Sequence, residues 1–126
     1  MKVNQFLLNV TSEDSDRLAA FYADTVGLPK NPDVGERAFT AGGTVFLIDG
    51  HGETKGTAKE PHRMLINFFV DDLTAEQRRL EGLGVKFIRT AGREPWGGVI
   101  STFLDPDGNG CLSRTIETSN RYYRDR

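Results

Sequence analysis

The chain repeats itself. Superposing Leu7 on Leu65 places Leu8 on Ile66, Asn9 on Asn67 and Asp14 on Asp72. After one residue of slippage, Val26-Gly27-Leu28 falls on Leu83-Gly84-Val85. Each copy therefore runs in the same order: a strand-forming stretch, an acidic helix cap, a helical segment and a glycine suited to end it. That shared order restricts the fold to two similar modules in tandem.

Local patterns fill in the modules. A strand is expected over 3–10, closed by the polar run Thr11-Ser-Glu-Asp-Ser15, whose side chains suit a helix N-terminus. Leu18, Phe21, Tyr22 and Val26 recur at helical spacing over 14–26, and Gly27 follows as a C-cap. Strands over 37–41 and 44–49 flank Gly42-Gly43, a two-residue hairpin turn. The glycine-rich stretch 50–61 has no period and reads as a linker. The pattern then restarts: a strand over 63–70, a helix over 72–83 ended by Gly84, and a short strand over 86–88. Two further strands flank Asp105-Pro-Asp-Gly-Asn109, which combines a preset φ, carboxylate and amide acceptors and a glycine free to take positive φ. The 119–126 tail is polar apart from Tyr122 and Tyr123 and reads as frayed. The expected organisation is one domain, 1–126, of two βαβββ modules at about 3–50 and 63–117.

Composition bounds the function. The 126 residues are 37% hydrophobic and 27% charged, with net charge -2 and both signs interspersed. Nothing in that balance suggests a nucleic-acid or anionic-membrane partner. No apolar run approaches the roughly 18 residues that span a bilayer, and no secretory-type segment opens the sequence. Cys111 is the single cysteine, which excludes an internal disulfide and fits a reducing compartment, so a cytoplasmic location is expected.

The tandem βαβββ repeat carries Phe21-Tyr22 and Gly27-Leu28 in its first half. Its second half carries Val70-Asp71-Asp72-Leu73 and Asp105-Pro-Asp-Gly-Asn109. Together these motifs resemble the vicinal oxygen chelate superfamily of glyoxalase I, bleomycin-resistance proteins and extradiol dioxygenases. The resemblance covers nearly the whole chain. It implies an α+β fold whose two modules curl mixed sheets into a cup, often within a homodimer. It also implies, for catalytic members, four His, Glu or Gln metal ligands on the first and last strands of each module. Projected onto this sequence, three of those positions fall on Leu7, Leu65 and Leu112; the fourth falls among Phe46, Leu47 and Ile48, with Asp49 the nearest carboxylate. Aliphatic side chains offer no lone pair to a cation. A slip of one residue at Leu112 would bring in Cys111, and one thiolate makes no site. The reading is therefore no metal and no cofactor.

Alternation along the strands sets Asn9 beside Leu7, Asn67 and Phe69 beside Leu65, and Arg114 beside Leu112. Apolar walls with a few polar groups suit a small-molecule pocket. The plainer readings stand beside this one: strand-end hydrogen bonds for Asn9 and Asn67, and a solvated sheet-edge charge for Arg114. Trp96, the sole tryptophan, sits in Arg93-Glu-Pro-Trp-Gly-Gly98 and can stack on a planar ligand at a cleft rim or plug the sheet's end. Phe39, Phe46 and Phe103 are core or cavity wall. His51 and His62 fall in or beside the linker and read as surface residues, with His51 the better candidate to reach a site. The expected ligand-binding set is Leu7, Asn9, Phe46, Leu65, Asn67, Phe69, Trp96, Phe103, Leu112 and Arg114. The leading expectation is a metal-free binder of an aromatic or amphipathic small molecule. The competing ones are a lyase, isomerase or dioxygenase with displaced ligands, and a protein whose cup is filled by its own side chains.

Overall fold

The computed structural model describes residues 1–116. The expectations for the 119–126 tail, and for the final residue of the 63–117 module, lie outside the described residues. The chain forms an α+β fold with two mixed sheets and divides into two compact units, one covering Met1–Thr57 and the other starting at Ala58.

In the first unit β1 (Leu7–Ser12) leads to α1 (Ser15–Ala20), then β2 (Ala38–Ala41) and β3 (Thr44–Gly50). Asp14 caps α1, its carboxylate accepting the Arg17 amide at 3.2 Å. The helix then widens over Phe21–Val26 into π-helical turns. Gly27, at φ 83, ends it by donating to the Tyr22 carbonyl at 3.0 Å. The sheet order is β1-β3-β2, with β1 parallel and β2 antiparallel to β3.

Register sorts the side chains by face. Leu8, Val10, Phe39, Phe46 and Ile48 share the α1 side, where Tyr22 packs on Phe46 at 4.8 Å between centroids. Leu7, Asn9, Val45, Leu47 and Asp49 share the other. This unit has three strands rather than the expected four. The remaining strand contracts to a single bridge between Lys30 and Phe39, because Pro29 and Pro32 flank Lys30 and have no N–H with which to extend a ladder. Strand β1 also begins later and ends later than the 3–10 expectation. Ser12 is buried in its last position, its hydroxyl accepting the Asp14 amide at 3.0 Å.

The second unit contains β4 (Leu65–Phe69), α2 (Leu73–Gly82), β5 (Phe87–Arg93), β6 (Gly98–Leu104) and β7 (Gly110–Ile116). The sheet order is β4-β7-β6-β5, with β4 and β7 parallel. Asp72 caps α2 through the Ala75 amide at 3.0 Å. Phe103 and Cys111 are fully buried on the face toward α2, with Phe87 edge-on to Phe103 at 5.4 Å. Strand β5 runs well past the expected 86–88, since two register shifts break the alternation that reveals a strand. Asp105 organises the β6–β7 turn. Its carboxylate accepts the Asp107 and Asn109 amides, each at 2.9 Å, and the Asn109 side chain at 2.9 Å.

The duplication is structural as well as sequential. Leu7 pairs with Val45 and Leu65 with Gly110, so Leu47 is the counterpart of Leu112 and Asp49 that of Arg114.

Candidate functional site

Strand β4 alternates, so Leu65, Asn67 and Phe69 point away from α2, and the parallel register sets them beside Gly110, Leu112 and Arg114 of β7. β7 is an interior strand, and that corrects the reading of Arg114 as a sheet-edge charge. Its guanidinium carbon lies 5.1 Å from the Phe69 ring centroid and 4.7 Å from that of Trp96. Each such contact contributes ~0.5–2 kcal/mol, more as water is excluded. Arg114 Nη1 donates to Asn67 Oδ1 at 3.3 Å, and Asn67 Nδ2 donates to the Leu65 carbonyl at 3.2 Å, which fixes the amide's orientation.

Local sequence explains how Trp96 reaches this face. The Glu94 amide donates to the Gly98 carbonyl at 2.7 Å, and the Gly97 amide to the Glu94 carbonyl at 2.9 Å, with Gly97 at φ 93. That tight turn folds the indole back onto the start of β6. A Cβ on Gly98 would sit 1.6 Å from Trp96 Cζ3, so only glycine leaves room for the ring. Gly110 is crossed in the same way by the preceding segment: a Cβ there would lie 2.5 Å from the Pro61 carbonyl oxygen, which accepts the Gly110 amide at 3.1 Å.

The face is graded in exposure. Phe69 and Leu65 at the β4 edge are 56% and 44% exposed, whereas Leu112, Ile100 and Thr102 at its centre are buried. Ile100 pairs with Arg114 and Thr102 with Leu112, so both belong to the face. Neither was expected there. The run Val99–Phe103 carries apolar residues on both sides of the strand, so period two alone does not assign Ile100 and Thr102 to this face.

The expected residues fall into three groups. Leu65, Asn67, Phe69, Trp96, Leu112 and Arg114 share one face of the second sheet. Leu7 and Asn9 occupy the corresponding face of the first sheet, where Asn9 Nδ2 donates to Asp49 Oδ2 at 3.1 Å. Phe46 and Phe103 leave the candidate set, because each points to the helix side of its sheet and is core. His51 is exposed and accepts the Glu53 amide at 3.1 Å; His62 is exposed too.

At the projected ligand positions neither sheet, taken by itself, offers a donor suited to a divalent cation. Leu7, Leu65 and Leu112 are hydrocarbon, Leu47 is the β3 residue facing the same way, and Cys111 points to the opposite side of its sheet. Among the described residues no three His, Cys, Asp or Glu side chains approach closely enough to share a metal.

The family model of the Glyoxalase/Bleomycin resistance protein/Dioxygenase superfamily matches residues 2–111. The chain belongs to that superfamily. Several solved structures share the glyoxalase-superfamily fold. One is a glyoxalase/bleomycin resistance protein/dioxygenase family enzyme from Burkholderia phytofirmans PsJN. It is 18% identical, with 87% of this chain and 96% of that one covered at a TM-score of 0.71. A glyoxalase/bleomycin resistance protein/dioxygenase from Nocardioides is 14% identical, covering 95% and 88% at 0.71. A protein from the mobile metagenome of V. Pseudocholerae is 23% identical, covering 94% and 98% at 0.70. At these identities the likeness establishes fold alone. No curated protein matches the chain.

Proposed function

We propose that the chain is a binding member of the glyoxalase superfamily that holds a planar, aromatic or amphipathic organic molecule without a metal. The observation that carries this reading is the stack of Phe69, Arg114 and Trp96 beside Leu65 and Leu112 on the second sheet. Exposed aromatic and aliphatic surface with a fixed amide and one guanidinium is suited to gripping a flat ligand by stacking and directing it by hydrogen bonds. The aliphatic residues at the projected ligand positions support the metal-free part.

The sole tryptophan makes the test direct. Titrating planar aromatic compounds into the protein in excess EDTA is expected to shift the Trp96 indole N–H resonance saturably and raise the melting temperature. If binding appears only after Zn²⁺, Ni²⁺, Mn²⁺ or Fe²⁺ is restored, the chain works as a metal-dependent protein and the reading fails.

A further inference from the structure

Among the described residues no carboxylate pairs with the positive charge of Arg114. Among the described residues the ion pairs are Arg37–Asp16, Arg63–Glu60, Arg79–Glu76 and Arg89–Glu94; none includes Arg114. Among the described residues its hydrogen bond is the neutral one to Asn67, and its Nε is buried with no acceptor there. The residue is half-buried, and a buried N–H without a partner is costly. Two rings and a backbone-anchored amide nonetheless hold the group in one orientation. A guanidinium held between two rings, with one N–H buried and unpaired and no carboxylate partner among the described residues, is poised for an anion from outside the chain.

We infer that the ligand of this face carries a carboxylate beside its flat apolar body, and that Arg114 recognises it. The inference rests on the function proposed above and names the ligand's chemistry. Asn67 occupies one hydrogen of Nη1, which leaves the second Nη1 hydrogen and both Nη2 hydrogens for a carboxylate's two oxygens. The planar fork suits that geometry, and a lysine ammonium would not reproduce it. Phe69, more than half exposed, packs on the guanidinium, and Leu65 lies farther along the same face of β4; together they offer apolar surface for a ring attached to that carboxylate.

The test is a matched pair of probes, 2-naphthoate and 2-naphthamide, titrated calorimetrically into the full-length protein. The two share one ring system and differ in the charge at the end. Naphthoate is expected to bind roughly tenfold to hundredfold more tightly, the range for a charge-assisted hydrogen bond. That preference should shrink as salt is raised. In Arg114→Gln the ratio of the two affinities should fall to about one, and Arg114→Lys should restore part of it. Dispersion of the amide spectrum confirms that each variant is folded, and the wild-type ratio stands as a test without either. Equal binding of the two probes to the wild type overturns the carboxylate assignment and leaves the planar-ligand reading standing. A naphthoate preference that survives in Arg114→Gln overturns the role of Arg114. Binding of neither probe overturns both.

Discussion

Asn67 and Asn9 are the same residue in the two copies of the module, and they present opposite ends of their amides. Asn67 accepts from Arg114 through Oδ1, while Asn9 donates to Asp49 through Nδ2. Arg114 and Asp49 are themselves structural counterparts on β7 and β3. The repeat thus keeps the amide and inverts the charge it serves. An amide can do this where a carboxylate or an amine cannot, since it carries both a donor and an acceptor.

If Asn67 holds Arg114 without neutralising it, an aspartate there should do both. Asn67→Asp is expected to pair permanently with the guanidinium and to abolish the preference for naphthoate over naphthamide. Calorimetric titration of both probes checks this; an unchanged preference would show that Arg114 is not the group that selects.

Gly98→Ala should expel the indole, because the added Cβ would sit 1.6 Å from Trp96 Cζ3 and the ring must leave its place to make room. A red-shifted Trp96 emission is expected, together with weaker ligand binding and a loss of ~1–3 kcal/mol in urea unfolding. Unshifted emission would place Trp96 elsewhere.

Phe103 and Phe69 separate core from site. Phe103→Ala should destabilise the protein by ~3–5 kcal/mol, as removal of a fully buried ring does. Phe69→Ala should change stability by less than ~1 kcal/mol, since the ring is more than half exposed, while weakening naphthoate binding. Urea denaturation and calorimetry read the two effects separately.

Asp105→Ala removes the acceptor of three hydrogen bonds in the β6–β7 turn, two of them from backbone amides. A loss of ~1–3 kcal/mol is expected by urea denaturation.

Much of this architecture was legible where a residue's local chemistry leaves few choices. Asp14 and Asp72 cap helices, Gly27 and Gly84 take the positive φ that ends them, and Asp105 with Gly108 builds the turn. The misses follow from context that no short window contains. Phe46 and Phe103 lie in strands apolar on both faces, so alternation does not say which side meets the helix. β5 hides behind its bulges. The missing strand of the first module depends on two prolines around Lys30, which the repeat alone masks. Arg114 looked like a solvated charge because the strand order that makes β7 interior, and the turn that swings Trp96 over it, are tertiary facts. The alignment of Leu65, Asn67 and Phe69 was readable from period two; their grouping with Trp96 and Arg114 was not.

The most direct test of the metal-free account is the metal content of the protein purified without added ions and without chelator, measured by inductively coupled plasma mass spectrometry. The account predicts iron, nickel, zinc and manganese each far below one equivalent per chain. A near-stoichiometric content of any one of them, removable by EDTA with loss of ligand binding, would contradict it.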